Sequence, residues 1–128
     1  MTALSVEALV TRLYDLEMAK NLDEWMAMWD PSYVITFPFA TRPPIAPIKG
    51  WENLRDITRQ KFIDRLHIEL GVRTEPLADT LKALVHLDVA HTLADGTVRK
   101  LPLLCVFTFN AEGRIVALEE YFNQAPQP

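Results

Sequence analysis

Residues 81–123, LKALVHLDVAHTLADGTVRKLPLLCVFTFNAEGRIVALEEYFN, decide the fold. Three stretches rich in leucine, valine and phenylalanine, Leu81–Leu93, Arg99–Phe109 and Ile115–Asn123, are separated by Asp95-Gly96 and Glu112-Gly113. Such dipeptides between apolar runs predict tight hairpin turns, because glycine adopts the positive φ these turns demand. The stretch therefore predicts an antiparallel meander of three strands.

Turn length sets register, and register sets which side chains share a face. With Asp95 and Gly96 as the two loop residues, Ala94 pairs with Thr97 and His86 lies opposite Cys105. With Glu112 and Gly113 as the next loop, Cys105 lies opposite Glu120. Directly opposed side chains stand about 4.5–5.5 Å apart at Cβ, so His86, Cys105 and Glu120 form one rung, with Asp88 two residues along. Leu84, Ala90, Leu101, Leu103, Phe107, Leu118 and Phe122 complete that face. An acid among such residues is desolvated, which raises its pKa towards the range where it can give or take a proton near neutrality. The opposite face, with Val85, Leu87, Val89, Leu104 and Val106, is also apolar. Three helices on one side leave it uncovered, so it is expected to be a homodimer interface.

Upstream, the chain reads as helical. Leu9, Val10, Leu13 and Leu16 recur at amphipathic spacing after an N-cap at Ser5. Asn21 and Glu24 form a capping box for a second helix carrying Leu22, Trp25, Met26 and Trp29, stopped at Asp30-Pro31. Tyr33–Phe39 reads as a strand, and Thr41–Ile48, with three prolines, as a loop. Gly50 opens a third helix to about Arg65, with Trp51, Leu54, Ile57, Thr58 and Phe62 inward, and His67–Glu75 alternates like a strand. The class is α+β, with helices on one face of a mostly antiparallel sheet.

Composition excludes several functions. The chain has 128 residues, expected to form a single domain over 1–128, with 49% hydrophobic and 23% charged residues. A net charge of −4 argues against nucleic acid. One cysteine rules out an internal disulfide. No apolar run is long enough for a membrane span, and no leader pattern opens the chain, so a cytoplasmic protein is expected. His86 and His91 are five apart and would point to opposite faces of a strand, so no metal is expected. Four unclustered glycines provide no phosphate loop, and two serines provide no nucleophile elbow.

The runs NLDEWMAMWDPSYVITFPF, IKGWENLR, FTFNAEGRI and EEYFN resemble the nuclear transport factor 2-like superfamily. That group includes ketosteroid isomerases, SnoaL-like polyketide cyclases and the phenazine-biosynthesis A/B proteins. The resemblance covers essentially the whole chain. It implies a cone-shaped curved sheet wrapped around three N-terminal helices, with a deep pocket, as a homodimer. It does not by itself choose a chemistry. Matching the isomerases puts Phe37 where they keep a proton-shuttling aspartate, Leu13 (beside Tyr14) at their oxyanion tyrosine, and Cys105 at their second acid. The phenazine A/B proteins match better: EEYFN places Glu120 at their acid/base glutamate, with Gln124 in place of a proline. The same match makes His86, Asp88, Ala90 and Thr92 pocket-facing.

The expected function is cofactor-free proton transfer, as isomerase, cyclase or dehydratase, on a small, largely apolar cyclic or aromatic ligand. Glu120 would be the acid/base, with His86 or Asp88 as partner and Tyr14 as hydrogen-bond donor. Trp25, Trp29, Phe37, Trp51, Leu103, Cys105, Phe107, Leu118 and Phe122 would line the pocket. Each has a plainer reading: a satisfied core histidine, a small buried cysteine, aromatic core. A non-catalytic binding protein on the same fold is the rival, and the missing isomerase acids favour it. Epoxide hydrolysis, a third reading, would need a water held by His86, Asp88 and Glu120.

Overall fold

The computed structural model describes residues 5–38, 46–77 and 80–121. Its element order is α1 (Val6–Met18), α2 (Leu22–Met26), β1 (Trp29–Thr36), α3 (Trp51–Asp64), β2 (Arg65–Pro76), β3 (Lys82–Leu93), β4 (Val98–Phe109) and β5 (Ile115–Tyr121). Ser5 caps α1 by accepting from the Ala8 N–H at 3.1 Å. Asn21 and Glu24 close the box that opens α2, Asn21 Oδ1 accepting from the Glu24 N–H at 3.3 Å. At the end of α1, Lys20 takes a left-handed φ of 56°. Its ammonium donates to the Arg65 and Leu66 carbonyls and ties that helix end to β2.

Helix α2 is shorter than the sequence predicts. Trp29 leaves it and begins β1, because the Ile115 N–H bonds to the Met28 carbonyl at 2.9 Å and draws this segment into the sheet. A bulge between Trp29 and Val34 absorbs Asp30-Pro31. Strand order is β1-β5-β4-β3-β2, with β1 parallel to β5 and the other pairs antiparallel. The sheet is mixed, curved and unclosed, and the helices cover its inner face. Trp29, Tyr33, Leu13, Phe107 and Ile115 are fully buried between the layers. The Tyr33 hydroxyl donates to the Gly50 carbonyl at 2.7 Å and fixes the start of α3.

Both hairpin loops have three residues rather than two. Leu93 and Thr97 close the first, the Leu93 N–H bonding the Thr97 carbonyl at 2.8 Å, with Gly96 at φ 89°. Register between β3 and β4 is thereby one residue off the prediction: Val85 faces Cys105, and His86 faces Leu104. The inner face of β3 is Ala83, Val85, Leu87 and Val89, all buried, and Leu84, His86, Asp88 and Ala90 lie outside. In the second hairpin the Asn110 N–H bonds the Arg114 carbonyl at 2.8 Å. A register shift at Thr108/Phe109 then cancels the extra loop residue, and Cys105 does face Glu120.

Candidate functional site

A cavity of about 250 Å³ lies between the helices and the inner face of the sheet. Its floor is Phe107 and Leu103 of β4, Leu118 of β5, and Leu87 and Val89 of β3. Trp25, Trp29, Ile35, Phe37 and Ile48 form one wall, and Leu13 with Tyr14 of α1 another. Ile57, predicted inward, is 44% exposed, and with Leu101 (40% exposed) it rims the opening. A larger groove of about 690 Å³ runs over β2, β3 and β4 past Glu69, Asp88 and Lys100. It is shallow and open, so a ligand there would stay largely solvated, and the inner cavity is the candidate site.

The polar lining is Tyr14 and Glu17 from α1, Thr58 and Lys61 from α3, His91 from β3 and Glu120 from β5. Glu120 follows Leu118 by two on the inner face, and desolvation by its apolar surroundings raises its carboxyl above the usual carboxylate range. Lys61 pulls it down and Glu17 pushes it up. Tyr14 stacks edge-on to Phe107, with centroids 6.1 Å apart and planes at 82°. Burial holds its hydroxyl well above the ordinary tyrosine value, with Cys105, Glu17 and Glu120 adding to the shift. Tyr14 and Cys105 share a hydrogen bond, and burial pushes the thiol up to about 12. Both are neutral hydrogen-bonding groups, and neither is an anion near neutrality.

Lys61 Nζ pairs with Glu17 Oε2 at 3.0 Å. His91 Nδ1 accepts from Arg65 Nε at 3.4 Å, which leaves the ring proton on Nε2, an atom buried without a partner. Burial, with Lys61 and Arg65 nearby, pushes the His91 pKa below its ordinary value, so the ring is neutral.

The structure gathers Glu120, Tyr14, Trp25, Trp29, Phe37, Leu103, Phe107 and Leu118 at one cavity. Cys105 is 1% exposed and sits beneath the lining. Trp51 packs against the core from outside the lining. Phe122 lies outside the described residues. His86 and Asp88 are corrections, because the three-residue loop turns them to the outer face. There His86 Nε2 lies 3.7 Å from Glu75 Oε1, and Asp88 is exposed beside Gly71. The inward histidine is His91.

Glu17, Lys61 and His91 escaped the sequence reading. Glu17 continues the buried stripe Leu9–Leu13 at i+4, and Lys61 continues Leu54–Thr58, so each is a charge on an apolar face. His91 has no such signal without the correct register. Among the described residues, no group of three or more His, Cys, Asp or Glu is placed to hold a metal ion. Among them, no helix is long and apolar enough to cross a membrane.

A mixed curved sheet packed on three helices, with an acid on its inner face, defines a class of small cavity-bearing α+β proteins. The SnoaL-like domain model matches residues 10–118, and the chain belongs to that family. No curated protein matches it significantly. Among solved structures, it resembles an NTF2-like protein of unknown function from Exiguobacterium sp. 255-15, with TM-score 0.75, 18% identity, and 91% and 99% of the two chains covered. It also resembles SalBIII, an epoxide hydrolase/cyclase-like enzyme with a role in pyran ring formation in the polyether salinomycin. There the TM-score is 0.79 at 15% identity, covering 93% of this chain and 91% of that one. A third is an M. tuberculosis LEH-like epoxide hydrolase, with TM-score 0.74, 16% identity and coverage of 92% and 82%. At these identities the likeness is one of fold.

Proposed function

We propose that this protein is a cofactor-free proton-transfer enzyme, an isomerase, cyclase or dehydratase, whose general acid/base is Glu120. The observation that carries the reading is a carboxyl on an apolar cavity wall, raised by desolvation and flanked by the neutral Tyr14 hydroxyl. Tyr14 would donate to an oxygen of the substrate while Glu120 moves the proton. Cavities for drug-sized ligands run roughly 300–1,000 Å³, so about 250 Å³ suits a compound of one or two rings. Trp25, Trp29 and Phe37 favour a flat apolar one. The setting we propose is cytoplasmic, with the chain as one domain and a second copy covering the outer face at Leu84, Leu104, Val106 and Tyr121.

The test is deuterium exchange in D2O on a panel of small cyclic ketones, with epoxides beside them for ring opening. Glu120→Gln should lower exchange by about 10²-fold or more with fold retained. An unchanged rate removes Glu120 from the mechanism.

A non-catalytic binding protein is the second reading. It is favoured by Phe37 and Cys105 standing where the resembled isomerases carry acids. Tight binding of an apolar aromatic, indifferent to pH and to Glu120→Gln, would select it.

A further inference from the structure

Glu17 is a carboxylate at 5% exposure in the middle of the cavity wall, and the proton transfer proposed above does not use it. Burying a charge is costly unless it is paired, and its partner is Lys61, at 3.0 Å. Lys61 is also the one ammonium in the cavity lining among the described residues, and Glu120 is the other carboxyl there. A single cation thus shares the lining with two acids and acts on both. It forms an ion pair with Glu17 and none with Glu120.

We propose that Glu17 is a positioning residue that engages Lys61 and so keeps this ammonium from forming an ion pair with Glu120. An ammonium within about 4 Å of a carboxyl favours the charged form, as does any opposite charge in a poorly solvated site. Freed from Glu17, Lys61 has Glu120 as the other carboxyl of the cavity lining, and its charge already acts on that group. The other groups that face Glu120 do not replace this control. Tyr14 on α1 and Cys105 on β4 are neutral. His91 on β3 is kept neutral by burial and by its cationic neighbours, with Arg65 donating to Nδ1. The described lining from β1 and α2 is Trp29, Ile35 and Trp25, which carry no charge.

This inference rests on Glu120 being the working acid, but its test needs no substrate. The Glu120 carboxyl is titrated by NMR in protein labelled with 13C at the glutamate side-chain carboxyl, assigned with Glu120→Gln. Glu17→Gln should lower the Glu120 midpoint by about one pH unit, a tenfold loss of proton affinity. Removing a negative charge would also act directly on Glu120. Glu17→Gln is therefore repeated in a Lys61→Met background, where only the direct part remains and the shift should be clearly smaller. Glu17→Asp keeps the charge but shortens the reach, and it should lower the midpoint too, which covers the case of Glu17→Gln failing to fold. An equal shift in both backgrounds overturns the inference, as does a Glu120 midpoint that ignores Glu17→Asp. Neither result touches the exchange test of Glu120→Gln, so the two readings fail separately.

Discussion

Cys105 and Glu120 face each other across β4 and β5, beneath the ring of Tyr14. The rung survives because two irregularities cancel: a three-residue loop adds one residue and a bulge next to Phe109 takes the offset back. One carboxyl is thereby aimed at the cavity, with Glu119 of the same strand on the outer face, accepting from the Tyr121 hydroxyl at 2.5 Å.

Burial of Glu120 has a stability consequence with a definite sign. Its folded pKa is raised, so between the unfolded and folded values the native state holds more protons than the unfolded state. Stability therefore falls as pH rises through that window and levels off above it. Glu120→Gln should remove this slope and unfold at a higher Tm than the parent at pH 8, while the two converge near pH 4. Thermal melts across that range check it, and parallel curves would sink the idea.

His91 carries the opposite sign. Its folded pKa is lowered, so its contribution is present above about 6.5, the ordinary histidine value, and is lost as pH falls below it. His91→Gln should flatten the acid side of the stability curve between pH 6.5 and 4.5. Denaturant melts at fixed ionic strength measure this, and an unaltered acid limb would contradict it.

The Cys105 thiol, pushed up to about 12 and 1% exposed, should be inert. At pH 8 iodoacetamide should label the native protein at least 10²-fold more slowly than the same protein in denaturant. Rapid native labelling, read by mass spectrometry, would show that the thiol is reachable.

Tyr14→Phe removes one hydroxyl and keeps the ring against Phe107. We expect a fold like the parent and a loss of exchange activity of about 10²-fold or more, the usual scale for one positioned donor. Phe107→Ala empties the centre of the core and should cost about 3–5 kcal/mol. Urea titration of both separates them: a Tyr14→Phe variant that loses stability without losing rate would make that hydroxyl purely structural.

The outer face gives a test of assembly. Leu104 and Val106 lie there, half-buried, opposite Tyr121 and Glu119. Leu104→Lys should turn a dimer into a monomer in sedimentation with the cavity unchanged. A parent protein that sediments as a monomer would end the proposal of a second copy.

Local chemistry was enough for the helices α1 and α3, the Ser5 cap, the Asn21–Glu24 box and the antiparallel run of β3, β4 and β5, because caps, apolar stripes and turn residues act over four or five residues; Glu120 faces the cavity only because a bulge offsets the longer second loop. Loop length is different. Asp95-Gly96 fits a two-residue turn or the last two residues of a three-residue one, and the choice depends on which closing pair lets β3 and β4 bury their apolar faces against the helices. With valine and leucine at both parities of β3, the sequence reads equally well either way, and His86 and His91 exchange roles on a shift of one residue. Packing settles it: Val85, Leu87 and Val89 fill the space under α1. The same holds for Lys61 and Glu17, which lie 44 positions apart in the chain. Each was legible as a charge on an apolar stripe, but only the docking of α1 and α3 over one cavity makes them a pair.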